Sequence, residues 1–200
     1  MEEINHARRS SDILKEIAQH KPDGKITYHD ILQKLGYRAF GLVLLFFALP
    51  SALPFSAIPG VSFIFSIPIA IFAFQMIIAQ KALWLPKFIG ERTIPYEKVS
   101  KIIHKVSPFL IKIEHLLKPR LYFMTKGFMK IMSGVVLFCL AIFLTLPIPF
   151  SNFLFALLII VISLGLIEKD GLFIILGYIG TALYISFMYV FIFGAIKALF

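Results

Sequence analysis

Three stretches of the chain, 39–80, 131–167 and 171–196, contain no Asp, Glu, Lys or Arg; they are 42, 37 and 26 residues long. A helix needs about 20 apolar residues to cross a hydrocarbon layer of about 30 Å. The first two stretches are therefore long enough for two passes each, and the third for one tilted pass. Both long stretches are interrupted by proline clusters. The first runs Leu49-Pro50-Ser51-Ala52-Leu53-Pro54 and on to Ile58-Pro59-Gly60, and the second Leu146-Pro147-Ile148-Pro149-Phe150-Ser151-Asn152. Proline removes a backbone donor and clashes with the preceding turn, at about 3 kcal/mol in a helix interior. The apolar segments before the breaks, Ala39–Leu53 and Met132–Leu146, are each about 22 Å long as helix, short of a full span. Two readings follow. In one, each segment turns back inside the membrane as a re-entrant hairpin, or crosses with help from the extended proline stretch. In the other, each cluster is the exposed turn of a short hairpin.

Between the long stretches the pattern changes to helical periodicity with charge. Val99, Ile102, Ile103, Val106, Phe109, Leu110, Ile113, Leu116 and Leu117 recur at helical spacing, with Lys98, Lys101, Lys105, Lys112 and Lys118 between them. Ser107-Pro108 interrupts the series as a kink or as the start of a second helix. Such a helix suits either an anionic leaflet surface or the protein's own cytoplasmic face. In the N-terminal arm, Ser11 caps an expected helix through His20, and Lys21-Pro22-Asp23-Gly24 reads as a turn. Thr27 with Asp30 three residues later predicts a capped second helix ending at Gly36.

Composition sharpens the picture. The chain is 59% apolar and 16% charged, with a mean hydropathy of +0.88, whereas soluble domains carry about 25% charged residues. A water-soluble core formed by 200 residues could not bury so much apolar surface. The net charge of +9 is concentrated in 81–130, with eleven Lys/Arg against Glu91, Glu97 and Glu114; residues 1–38 hold seven basic and six acidic side chains. Basic loops stay cytoplasmic, so 81–130 and the arm are expected on that side and the C-terminus on the other. The near-neutral arm argues against nucleic-acid binding. The charged start, Met1 to Ser11, predicts no cleavable signal peptide. The lone Cys139 offers neither an internal disulfide nor a cysteine metal site.

The expected fold is an all-α integral membrane protein: two repeated proline-broken helical hairpins plus a final transmembrane helix, with a basic amphipathic cytoplasmic segment between the repeats. Its expected parts are a cytoplasmic helical arm (1–38), a first hairpin (39–80), a basic interfacial segment (81–130), a second hairpin (131–167) and a last span (171–200). A shift of 93 positions pairs Gly41 with Gly134, Val43-Leu44 with Val136-Leu137, Ala48 with Ala141, Leu53-Pro54 with Leu146-Pro147, and Gln75 with Glu168. Repeats with interrupted helices are a recurring plan among transporters, with substrate sites at the repeat interface.

Polar groups within or beside apolar runs are the candidate substrate or ion contacts: Gln75, Asn152, Glu168 and Asp170. Pro50, Pro54, Pro59, Pro147 and Pro149 are the helix-breaking positions. Arg38, Glu114 and Arg120 are candidates for structural pairing on the cytoplasmic side, Arg38 with an acid or with headgroups. Small residues in the last span (Gly177, Gly180, Ala182, Ser186 and Gly194) permit close helix packing and suggest a homodimer. His6, His20, His29, His104 and His115 show no metal-ligand spacing. With no nucleophile–base, phosphate-loop or dinucleotide motif present, neither catalytic residues nor a metal or cofactor is expected. A lipid-linked-sugar transferase assembled from scattered residues is the remaining enzymatic alternative.

Several blocks together resemble the bacterial exopolysaccharide-synthesis ExoD family over nearly the whole chain. They are Gly36-Tyr37-Arg38-Ala39-Phe40-Gly41, Phe74-Gln75, Trp84-Leu85-Pro86, Glu114 through Pro119-Arg120, Leu146-Pro147-Ile148-Pro149-Phe150, and Gly165-Leu166-Ile167-Glu168-Lys169-Asp170-Gly171. Tyr37 stands where the family usually has an acidic residue, and Ser151 where it has glycine. The resemblance implies a multi-pass bacterial inner-membrane protein associated with exopolysaccharide production, with that machinery as a partner. The expected role is transport or permeation; the alternative is a non-catalytic scaffold.

Overall fold

The computed structural model describes residues 10–19, 25–53, 61–80, 82–146 and 151–199. Pro54, Pro59, Pro147, Pro149 and the turn at Lys21–Gly24 lie outside the described residues. The elements, in order, are α1 (Ser10–Gln19), β1 (Lys25–Thr27), α2 (Tyr28–Leu35), α3 (Arg38–Ala48), α4 (Val61–Ile77), α5 (Lys87–Gly90), β2 (Thr93–Pro95), α6 (Tyr96–Leu116), α7 (Phe128–Thr145), α8 (Ser151–Glu168) and α9 (Gly171–Leu199). Single 3-10 turns at Pro50–Ala52 and Tyr122–Thr125 extend α3 and precede α7.

The N-terminal arm folds by local rules. The Asp30 amide donates to Thr27 Oγ1 and the Thr27 amide to Asp30 Oδ2, both at 3.1 Å, closing a capping box. The helix stops at Gly36, whose φ of 55° turns the chain. The entirely helical expectation needs one correction. β1 and β2 form an antiparallel ribbon with Ile26 opposite Ile94, joining the arm to the basic segment. Three residues per strand are too few to show a period of two in the sequence.

The apolar helices form a layered bundle. α3 packs on α8, α4 on α7, and α9 on the other side of α8. Glycines set two of these approaches. A Cβ on Gly41 would lie 2.7 Å from the Ser163 carbonyl and 3.0 Å from the Ile167 amide. One on Gly134 would lie 3.0 Å from the Ala73 carbonyl and 2.9 Å from the Ile77 amide. Without lipid–water contrast to drive association, helices need such close backbone contact. Ala39, Ala48, Ala73, Ala141 and Ala156 are fully buried for the same reason.

These contacts set the directions. The start of α3 meets the end of α8, and the start of α7 meets the end of α4, so all four termini gather at one base. There the Tyr37 hydroxyl donates to the Lys130 carbonyl at 3.5 Å, and the Lys130 ammonium lies 4.4 Å from the Tyr37 ring centre. The ends of α3 and α7 and the starts of α4 and α8, which flank the proline clusters in sequence, lie at the opposite end. α6 is a single helix with Pro108 inside it. It buries Val99, Ile103 and Leu110 and packs against α1, while Ile102, Val106 and Leu116 stay exposed among its lysines.

Among the described residues, α7, α8 and Gly171–Phe191 of α9 are long and apolar enough to cross a membrane. α3 has 11 residues and α4 has 17, with Pro68 inside. α9 has 29 residues, about 43 Å at 1.5 Å per residue. Met188 lies against Ser151, sulfur to hydroxyl 3.8 Å, so α9 passes the level of the start of α8 with about 16 Å of helix left. That overhang carries Tyr189, Val190, Phe191 and Phe193, all more than half exposed.

Candidate functional site

Two polar regions stand out, one at each end of the bundle. The base network is ionic and buried. Arg38, 4% exposed, donates from Nη1 to Ser10 Oγ at 2.6 Å and lies 3.9 Å from Glu168 Oε2. Ser10 Oγ in turn donates to the Ile167 carbonyl at 3.0 Å, closing the last turn of α8. The next residue, Ser11, donates its amide and hydroxyl to the Glu114 carboxylate at 2.7 and 2.8 Å. A carboxylate from α6 thus satisfies an orphan amide at the start of α1. Arg38 is paired inside the protein and does not extend to headgroups.

Asp170 is fully buried and saturated. Oδ1 accepts the Leu172 amide at 3.0 Å, capping α9; Oδ2 accepts the Lys118 amide at 3.0 Å and Arg120 Nε at 3.4 Å. The Gly171 amide donates to the Arg120 carbonyl at 2.7 Å, and a Cβ there would meet the Leu121 backbone. Lys169, at φ 56°, turns the chain between Glu168 and Asp170. Burial and the nearby Arg38, Lys130 and Lys126 lower its ammonium pKa to about 8.

The break end is polar without charge. The 3-10 turn Pro50–Ala52 packs against both α4 and α8. Pro50 occupies its first position, where no amide is missed. Ser51 is fully buried and Ser62 3% exposed; neither hydroxyl has a hydrogen-bond partner, nor does the buried Asn152 Oδ1. Ser66 and Thr145 join α4 to α7 at 3.0 Å. Pro68 leaves the Ile64 carbonyl without its helical donor.

The structure therefore separates the expected contacts. Glu168 and Asp170 lie at the base and Asn152 at the breaks. Gln75 belongs to neither cluster: its Nε2 donates to the Trp84 carbonyl at 3.0 Å and its Oε1 accepts the Trp84 amide at 2.9 Å. Gln75 and Asp170 are thus both spent on holding backbone. Gly177 and Gly180 pack on Ile162 and Leu158 of α8, so part of the small-residue stripe expected at a dimer contact serves the chain itself. Ala182, Ser186 and Gly194 remain exposed. Sequence reasoning missed Ser10, Ser51, Ser62 and Pro68, and read Ser11 as a helix cap rather than as the partner of Glu114. Only Pro68 and the serines inside an otherwise apolar stretch carried a visible signal.

A bundle of apolar helices too short, broken or long for water, closed at one end by a buried ionic network, is that of a multi-pass membrane protein. The sequence pattern of the exopolysaccharide-synthesis ExoD family matches residues 10–190, and the chain belongs to that family. It is similar to Protein ExoD of Rhizobium meliloti (strain 1021), 31% identical over 192 residues, covering 92% of this chain and 79% of that protein. It is also similar to an uncharacterized protein of Synechocystis sp., 35% identical over 164 residues, covering 80% of this chain and 77% of that protein. No solved structure matches.

Proposed function

We propose that the protein is a bacterial inner-membrane permeation component of exopolysaccharide production, built from two repeated hairpins that turn back within the bilayer. The observation that carries this reading is the overhang of α9. Exposed Tyr189, Val190, Phe191 and Phe193 lie beyond the level of Ser151, the start of α8, and would be costly in water, which favours lipid reaching past the start of that helix. Broken backbone at that depth is tolerated where protein buries it or a polar cavity receives it.

The cross-packing supports the repeat. The first helix of each hairpin lies on the second helix of the other, each through a glycine near its start. Gly41 meets Ser163 and Ile167, and Gly134 meets Ala73 and Ile77; these partners are ninety positions apart, whereas the glycines are ninety-three apart. The second helices therefore correspond three positions away from the register that paired Gln75 with Glu168, and Gln75 corresponds to Gly165. Both hairpins enter from the base, giving a parallel repeat, and the basic segment puts that base in the cytoplasm. The exposed apolar and lysine side chains of α6 suit anionic lipid headgroups beside it.

Solute flux into proteoliposomes tests the reading: flux from the intact protein, reduced by Glu168→Gln, is the expected result. One observation favours a second reading, a non-catalytic scaffold of the assembly: Gln75, Glu114 and Asp170 are all committed to backbone groups. Absent flux, or flux indifferent to Glu168→Gln, would favour it. No enzymatic role is proposed, and turnover of a lipid-linked sugar in detergent without a gradient would contradict this.

A further inference from the structure

The two ends of the bundle differ in chemistry. Every charge of the hairpins lies at the base; from 39 to 80 and from 131 to 167 none occurs. At the breaks, Ser51 and Ser62 are over nine-tenths buried with unpartnered hydroxyls, and the buried Asn152 Oδ1 also lacks a donor. Each such group costs about 1–3 kcal/mol when left unmade; half of the six unpartnered buried atoms among the described residues lie at this charge-free end, and they call for something to satisfy them.

The neighbouring hydroxyls add to the demand. Ser66 is within reach of the Phe63 carbonyl at 2.8 Å, Thr145 of the Ala141 carbonyl at 2.9 Å, and the two of each other at 3.0 Å. Two hydroxyl protons cannot serve three contacts at once, so one oxygen there can still accept. Ser51 sits on the turn that touches both α4 and α8, and Ser62 and Asn152 lie in the first turns of those helices. The orphaned groups therefore lie at the same end of the bundle, on elements that pack on one turn.

We propose that this region is a charge-free binding site for neutral, hydroxyl-bearing ligands, held by Ser51, Ser62 and Asn152. Serine hydroxyls both donate and accept, and the asparagine oxygen accepts; water and the hydroxyls of a carbohydrate offer the matching pair. A charged ligand finds no counter-charge, and an unmatched charge at this depth is strongly disfavoured. The site rests on the permeation reading for its place in a path and names the class of solute that path admits.

Thiol accessibility tests it. In a Cys139→Ala background, Ser51→Cys and Asn152→Cys are reconstituted and treated with neutral hydroxyethyl, anionic sulfonatoethyl or cationic trimethylammonioethyl methanethiosulfonate. The lipid-facing Ile67→Cys is the control. The expected result is reaction with the neutral reagent at both site positions, slower by roughly a hundredfold with either charged reagent, and little at Ile67→Cys. Repeating the reaction in sorbitol separates the sources: protection assigns the site to carbohydrate hydroxyls, and unchanged rates assign it to water. Two results overturn the proposal: no reaction at either position in folded, monodisperse protein, or equal rates with charged reagents. Absent flux with selective thiol reaction intact would remove the permeation reading alone.

Discussion

Arg38 and Glu168 are each 4–5% exposed and face one another with Ser10 between their helices. Removing one member of a buried pair leaves the other charge unmatched, a loss of about 3–5 kcal/mol, whereas replacing both by apolar groups is often neutral. Arg38→Met should therefore lower the unfolding midpoint in detergent sharply, and Arg38→Met with Glu168→Met should recover most of it. A double variant as unstable as the single one would mean that Ser10, not Glu168, is the partner that matters. Lys169 gives a pH prediction. Its proton is held less tightly in the fold than in the unfolded chain, with a folded pKa of about 8 against 10.5. The unfolded state thus binds more protons between those values, and stability rises with pH from about 8 towards 10.5. Lys169→Met should flatten that rise in unfolding curves recorded between pH 7 and 10. None of these partners is legible in sequence. Ser11 and Glu114 lie 103 positions apart, and no periodicity links them.

At the scale of elements, the pattern of apolar runs locates the apolar helices because lipid imposes one rule on every residue of a span. The Thr27–Asp30 box and Gly36 are readable because caps are local. Thr27→Ala should cost α2 about 1 kcal/mol, visible as faster amide exchange in that helix only. Packing partners are less legible: glycine spacing shows that something comes close but not what. The α9 glycines fit a dimer as well as they fit α8, and only the structure shows Ile162 and Leu158 against them. Gly41→Val and Gly134→Val should each destabilise by overpacking, about 1–3 kcal/mol, because two of the three nearest atoms at each are backbone and cannot give way. Gly194→Val, with nothing within 4 Å, should leave the melting temperature unchanged.

Across the whole molecule, the buried charges gather at one end. The base ties α1, α6, α8 and α9 to an ionic network, while the break end carries no charge and holds Ser51, Ser62 and Asn152 with unpartnered oxygens. The prolines marked those breaks in the sequence, but their depth did not follow from it. The depth proposed for them rests on Met188 lying beside Ser151 with about a third of α9 still to run. The most direct measurement is the depth of the breaks themselves. Leu53 and Leu146, 47% and 45% exposed on either hairpin, can each be replaced by tryptophan in a Trp84→Phe background and reconstituted with lipids brominated at different acyl positions. Strong quenching by bromines within the acyl chains, with little by acrylamide, is the expected result at both positions. Ready quenching by acrylamide, with only headgroup-proximal bromines effective, would contradict it and make the breaks surface turns.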